Sequence, residues 1–182
     1  MLSRRTMKTF SLAASLREFR GNRKGSAAVQ FSLLAIPFFM MIFAIIETAV
    51  IFFASQALET ATQDSARLIM TGQAQTSGMS ASQFKTNVCS RLASFFDCSN
   101  GIYVDVKSYT TFSSVVITDP IDGSKNFVNN FSYSPGGSGD IVVVRLFYQW
   151  PLIVTGLGYD IGNINGNKRL LAATAAFRNE PW

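Results

Sequence analysis

A long apolar run near the N-terminus dominates the pattern of hydrophobic and polar positions. Gly25 to Ile46 form 22 consecutive positions without a charged side chain, directly after a segment rich in Lys and Arg. A helix rises about 1.5 Å per residue, so the run spans roughly 33 Å, enough to cross a bilayer core of about 30 Å. The pattern predicts a transmembrane helix, in which Pro37 is tolerated as a kink because neighbouring groups can satisfy the freed carbonyl.

Helical periodicity continues beyond the apolar run. Small and apolar residues recur at spacings of three and four on one face, and polar residues fill the other. The residues of the first face are Ala54, Ala57, Leu58, Ala61, Ser65, Leu68 and Ile69. Gly72 is a suitable stop, so the pattern predicts one helix over residues 26–71 that is hydrophobic all round first and amphipathic later. Its second half is suited to packing on a globular domain.

The rest of the chain alternates turn signals with short periodic segments. Ser80 to Gln83 has the form of a capping box, and apolar spacing predicts a second helix over residues 81–96. Strands are predicted at 102–107, 114–118 and 141–150, and loops at 73–78, 119–139 and 156–167. Residues 169–178 could form a last strand or a short helix: their composition favours helix by propensity, whereas their position after three strands favours a strand, which we expect. The fold class is therefore α+β: a long N-terminal membrane-spanning helix that continues into a small head with a second helix and an antiparallel sheet.

Positive charge is concentrated at the N-terminus. Residues 1–24 carry seven basic side chains and one acidic side chain, whereas the remaining 158 residues carry nine basic and ten acidic ones. Positively charged flanks of a membrane helix stay in the cytoplasm, so we expect the N-terminus inside and the remainder exported. We expect no nucleic-acid partner, because no basic cluster follows the apolar run.

These patterns divide the chain into three segments. Residues 1–25 are predicted to be a basic cytoplasmic leader, residues 26–71 the transmembrane and amphipathic helix, and residues 72–182 an exported α+β head domain. Sixteen Phe and five Tyr supply enough apolar area for one core.

The composition argues against an enzyme. The chain has no His, which removes the commonest general base and the commonest metal ligand. It also has no Gly-x-Ser-x-Gly elbow and no metal-ligand cluster. Asp119, Asp122 and Asp140 form the one acidic grouping to consider, but turn-forming Asp is far commoner than a catalytic pair, and the spacing of a known calcium loop is missing. We expect no catalytic residue, metal or cofactor; the competing interpretation is a membrane-anchored periplasmic protein with a binding or enzymatic function.

Two cysteines, Cys89 and Cys98, lie in the part predicted to be exported. In an oxidising compartment an even pair at this spacing favours a disulfide, which would stabilise the head by roughly 2–3 kcal/mol in the chain-entropy model. The alternative is two buried free thiols.

A secreted protein is a further alternative. Ser55-Gln56-Ala57 has a loose small-x-small form that a signal peptidase could cut. The apolar run is long for a signal peptide, and the amphipathic pattern continues through this site, which argues against cleavage there.

The junction Gly25-Ser26-Ala-Ala-Val-Gln30-Phe31 links the basic leader to the apolar run. It resembles the processing site of type IV-type prepilins, which have a basic leader, a Gly, four further residues, a Glu, an aromatic residue and a long apolar helix. The resemblance implies cleavage between Gly25 and Ser26 by a prepilin peptidase.

Four further stretches resemble the TadE-like family, which consists of pilin-like minor components of tight-adherence (Tad, Flp) pilus systems. They are residues 45–47, 56–67, 139–151 and 176–181. The resemblance implies a pilin-like minor subunit or assembly factor in the bacterial inner membrane, needed for pilus biogenesis, adherence, biofilm formation and surface colonisation. The implied partners are the prepilin peptidase, other pilins or pilin-like subunits, inner-membrane assembly proteins of the pilus machine, and membrane lipid.

Gln30 departs from the prepilin pattern, because it stands where those proteins have Glu. The resemblance implies that this position and Phe31 take part in assembly, where the carboxylate pairs with the new N-terminal amine of a neighbour. An amide attracts an ammonium more weakly, but it is also less costly to hold in lipid.

Glu47 and a stripe of small residues are the remaining candidates for assembly. An ionisable group at membrane depth is a functional-site hypothesis: Glu47 could receive a donor or cation from an adjacent helix. The alternative is that Glu47 lies at the outer interface of the membrane. Ala54, Ala57 and Ala61 could let another subunit's helix approach closely, or could pack on the chain's own head.

Overall fold

The computed structural model describes residues 25–154 and 159–182. Most of the predicted leader and the start of the predicted loop 156–167 lie outside the described residues. The regular elements are α1 (Ser26–Met70), α2 (Gln73–Thr76), α3 (Ala81–Cys89), β1 (Ile102–Tyr109), a 3₁₀ turn (Phe112–Ser114), β2 (Ile141–Pro151) and β3 (Lys168–Arg178). The predicted α+β class is confirmed.

The long helix α1 has 45 residues and contains Pro37. Within the described part of the chain it is the one helix long and apolar enough to cross a membrane. It ends one residue before the predicted position, and Gly72 follows it with a left-handed φ of 75°. The ring of Trp182 fills the space that a side chain at Gly72 would need, so glycine is required there for both reasons.

The chain forms two compact units, one ending at Ile42 and one from Phe43 to Trp182. In the described part of the first unit, most of the large apolar side chains of the helix are exposed. They are Val29, Phe31, Leu33, Leu34, Ile36, Phe38, Phe39 and Met41. A helix that is apolar on all sides is typical of a membrane span.

The second unit contains the sheet, which has the antiparallel order β1-β2-β3. Ile102 pairs with Tyr148, and Ile141 pairs with Arg178. The predicted strands at 102–107, 141–150 and 169–178 are thus confirmed, with ends extended by one or two residues. The polypeptide between β1 and β2 is irregular and joins the sheet through a parallel bridge between Val106 and Tyr133.

One core joins the helices to one face of the sheet. Its fully buried members come from α1, α3, β1 and β2, and they include Leu58, Ile69, Phe84, Val88, Val106, Val142, Val144 and Leu146. A smaller cluster on the opposite face contains Phe147, Ile164 and Leu170, against which Tyr103, Phe127 and Phe131 pack.

Within this unit α1 and β2 run in opposite directions. The backbone N–H of Glu180, just after β3, donates to the carbonyl of Met70 at the end of α1 (2.9 Å). The residues that follow β2 instead reach Glu47, further back along α1. The end of β2 therefore lies beside the part of α1 nearest the apolar run.

Three sequence predictions are wrong in part. Residues 114–118 are not a strand, because Ser132 and Ser134 already occupy the outer edge of β1 through hydrogen bonds to Val106 (both 2.8 Å). The second helix ends at Cys89 instead of residue 96. The predicted loop 73–78 contains the short helix α2.

The capping box is confirmed. The Ser80 hydroxyl accepts from the backbone N–H of Gln83 (3.3 Å), and the Gln83 side chain accepts from the backbone N–H of Ser80 (2.8 Å). These bonds satisfy two donors that the start of α3 would otherwise leave free.

Candidate functional site

The predicted processing junction coincides with the start of α1. Gly25 immediately precedes the helix, and Ser26 is its first residue. Gly25, Ser26 and Gln30 are exposed, as is 70% of Phe31. The N–H of Ser26 therefore belongs to the first N–H groups of the helix, which have no intrahelical acceptor.

Glu47 is buried and bound by the chain's own backbone. Its carboxylate accepts hydrogen bonds from the backbone N–H of Ile153 and of Val154, the latter at 3.2 Å to Oε2. Only 8% of the residue is exposed. The carboxylate thus finds donors within its own chain, in the segment after β2; its position at the outer interface of the membrane and a role in assembly stay predictions.

A second bond joins the same part of α1 to the polypeptide after β2. The hydroxyls of Thr48 and Tyr159 lie 2.5 Å apart. Tyr159 was not a candidate at the sequence level, because no local signal links it to a helix more than a hundred residues earlier.

The alanine stripe packs on the head. Ala54 and Ala61 are almost completely buried, and Ala57 is half-buried against the same core. Of the two alternatives for these residues, the structure shows the intramolecular one for Ala54 and Ala61.

Cys89 and Cys98 form a disulfide with a Cα–Cα distance of 5.8 Å. The bridge connects the last residue of α3 to the turns that precede β1. Phe95 and Phe96 lie within the loop that it closes, and Phe96 packs edge-on to Tyr148 at a centroid distance of 4.9 Å.

An ion pair in the sheet was missed by sequence reasoning. Arg145 on β2 donates to Asp105 on β1 from Nε (3.1 Å) and from Nη2 (2.6 Å). Both residues are at least 95% buried. A charged residue at the centre of the most apolar strand was the available signal, since such a charge needs a partner.

The pair also holds the irregular segment between β1 and β2. Arg145 Nη1 donates to the carbonyl of Thr118 (2.7 Å), and Asp105 accepts from the backbone N–H of Ser132 (3.1 Å). The guanidinium lies over the ring of Phe147, 5.3 Å from its centroid. The arrangement fastens two loop positions to the sheet face opposite α1.

The three acidic residues considered for catalysis or calcium make turns. Asp119 accepts from the N–H of Ile121, and Asp140 accepts from the N–H of Gly137. Asp122 accepts from the backbone and side chain of Asn126 and from the backbone of Ser124, and these bonds lower the pKa of Asp122 below its ordinary value of 3.8. Across residues 25–154 and 159–182, no group of three or more His, Cys, Asp or Glu is placed to hold a metal ion.

Comparison with known proteins identifies the same family as the motifs. A family model described as TadE-like protein matches residues 25–67, less than a quarter of the chain. The match confirms the resemblance to the TadE-like family for the junction and for most of α1; the stretches 139–151 and 176–181 lie outside it. It suggests a pilin-like component associated with a Tad pilus, a structural or assembly role that implies contact with other pilus subunits. No curated protein and no solved structure matches the chain significantly.

Proposed function

We propose that the chain is a pilin-like minor subunit or assembly factor of a Tad (Flp) pilus, cleaved by a prepilin peptidase between Gly25 and Ser26. The observation that carries this proposal is the coincidence of three features at one place. The prepilin-like junction, the start of a helix able to cross a membrane and the start of the TadE-like match all lie at residues 25–26.

In this proposal the basic leader keeps the N-terminus in the cytoplasm of a bacterium, and the head lies in the periplasm. Cleavage removes residues 1–25 and leaves the exposed apolar half of α1 in the inner membrane, where it packs with helices of other pilins or assembly proteins. Gln30 accepts a hydrogen bond from the new amine of a neighbour without a charge of its own. The chain is not an enzyme, and its contribution is to pilus biogenesis, and through the pilus to adherence and surface colonisation.

The head supplies the surface that other subunits meet. Its exposed apolar side chains include Phe112, Val116, Ile117 and Val128, all on the irregular polypeptide between β1 and β2. Arg145 and Asp105 attach this polypeptide to the sheet at Thr118 and Ser132, which restricts its conformations and so reduces the entropy lost on contact.

The mass and N-terminal sequence of the protein from native membranes, with and without the prepilin peptidase, test cleavage. We expect a start at Ser26 that depends on the peptidase. Gly25→Val should retain the leader, and Gly123→Val is the matched control, because both glycines have open space around them and neither has a positive φ. An intact leader in wild-type cells would instead support a membrane-anchored protein that is never processed, and a start after Ala57 would support secretion.

Loss of surface pili in cells that lack only this chain tests the pilus role. We expect piliation and adherence to return with the wild-type chain and not with Gly25→Val. Normal piliation with an uncut leader would contradict the proposal.

A further inference from the structure

Ile153 is an isolated and unusually exposed apolar residue. It is 89% exposed, more than any other large apolar side chain in the described residues. Single exposed apolar residues are common on protein surfaces. Ile153 differs because its backbone is bound to a buried carboxylate on the helix that carries the membrane span.

The depth at which Glu47 binds the backbone of Ile153, relative to the membrane, follows from the length of the helix. A span that starts at Ser26 needs about 20 residues to cross a hydrocarbon core of about 30 Å. It therefore leaves the core near Ile45, and Glu47 lies about two residues beyond. Because Glu47 binds the N–H groups of Ile153 and Val154, these residues lie at the same level as the outer edge of the core.

The helix surface around this level is apolar on several sides. Phe43, Ile45, Ile46, Val50, Phe52 and Phe53 are each at least 41% exposed. A protein partner would cover one stripe of a helix, whereas lipid covers every side that the head leaves open. Ile153 extends this apolar surface from α1 onto the head.

Tyr159 adds a residue suited to the boundary between lipid and water. Its hydroxyl is bonded to Thr48, one residue after Glu47. Tyr is enriched at this depth in membrane proteins because its ring is apolar and its hydroxyl is polar.

We propose that the segment after β2, residues 152–154, is a second membrane contact, in which Ile153 enters the outer leaflet of the bilayer beside α1. Glu47 holds the segment there, and the backbone N–H groups of this segment replace the water that its carboxylate loses on burial. The head is thereby attached to the bilayer at two points, which limits its tilt against the bilayer surface. The proposal rests on the membrane span and does not require the pilus function.

Site-specific photocrosslinking in native membranes tests this contact in the full chain. A benzophenone amino acid is placed at Ile153, at Ile46 as the positive control, or at Val116 as the matched negative control. Val116 is 65% exposed, but its carbonyl is bound by Tyr109, which pairs with Ile141 at the opposite end of β2. An 11-residue strand is about 33 Å long, so Val116 should be in water.

We expect lipid adducts, detected by mass spectrometry, at positions 153 and 46, with yields several times that at position 116. Adding Glu47→Ala should lower the adduct yield at 153 and leave that at 46 unchanged, which separates a released segment from a chain that has left the membrane. A yield at 153 no higher than at 116, or adducts at 153 to protein alone, would overturn the proposal. The same adducts in cells without the prepilin peptidase would show that the contact is independent of pilin processing.

Discussion

Two carboxylates are buried on opposite sides of the sheet, and they are bound in different ways. Asp105 pairs with the guanidinium of Arg145 and with one backbone N–H, on the face away from α1. Glu47, on α1, is bound by two backbone N–H groups and by no basic side chain among the described residues. Asp105 holds the irregular polypeptide between β1 and β2 against the sheet, and Glu47 holds the segment after β2 against α1.

The difference shows how the surroundings of a buried charge set its role. Asp105 and Arg145 are both taken from water, so removing either leaves the other as an uncompensated buried charge. Removing the Glu47 carboxylate leaves two unpaired N–H groups and no charge. Asp105 therefore matters for the stability of the whole head, whereas Glu47 matters for the position of one segment.

Asp105→Ala tests the first half of this comparison and should have the largest effect. We expect the free energy of unfolding of the head to fall by about 3–5 kcal/mol, because Arg145 loses its charged partner while buried. Chemical unfolding of the full chain in detergent, followed by circular dichroism, measures the change.

Lys107→Ala is the control, since its ammonium also approaches Asp105 (3.8 Å) but its side chain is 30% exposed. Its cost should stay below about 1 kcal/mol. Replacing both buried partners, as Asp105→Leu with Arg145→Met, should recover much of the loss. Equal costs for Asp105→Ala and Lys107→Ala would show that the buried pair does not hold the head.

Glu47→Ala tests the second half and should have a smaller, local effect. Losing the hydrogen bonds to the buried Glu47 carboxylate costs about 1–3 kcal/mol, so amide exchange at Ile153 and Val154 should accelerate roughly 5- to 150-fold. Hydrogen exchange with mass spectrometry measures this change. Glu59→Ala on the same helix is the control, because Glu59 bonds an exposed Gln63 side chain. Acceleration throughout the sheet instead of at these amides would give Glu47 the global role assigned to Asp105.

Asn126→Ala extends the comparison to Asp122, an exposed carboxylate bound by similar donors, and should have the smallest effect. The backbone N–H of Asn126, its side-chain amide and the N–H of Ser124 hold the pKa of Asp122 below 3.8. The variant removes the side-chain donor only, so the pKa should rise part of the way towards that value in an NMR titration.

The sign of this effect fixes its pH dependence. A lowered pKa means that the bonds to Asp122 support the loop above its ordinary pKa, and that this support is lost as the pH falls through the lowered value. Asn130→Ala, in the same irregular segment, should leave the titration unchanged. A pKa unaffected by Asn126→Ala would mean that the backbone donors alone lower it.

Elements defined by local patterns could be predicted from the sequence. The long helix, the capping box at Ser80 and the three strands each carry a periodicity or a cap within a few residues. Two of the elements predicted wrongly are decided by distant contacts. Residues 114–118 alternate like a strand, but the edge of β1 is occupied by Ser132 and Ser134. The second helix stops early because Phe95 and Phe96 turn to pack on Trp150 and Tyr148.

The candidate site also combines residues that a local sequence pattern identifies with contacts that only the fold brings together. The junction at Gly25 and the ionisable Glu47 are visible as local exceptions to an apolar run. Their surroundings are not, because the donors to Glu47 lie 106 and 107 positions later and Arg145 lies 40 positions from Asp105. Sequence patterns identify a charge that needs a partner, but only the fold shows which groups supply it.

The separation between Glu47 and Ile153 has a consequence for biosynthesis. At 5–20 residues per second, a ribosome needs about 5–20 s to add the 106 residues between them. During that interval Glu47 and the alanine stripe have no head on which to pack, and the sheet closes only after Arg178 in β3 has been made. The face of α1 that the finished head buries therefore stays uncovered until the last strand has been made.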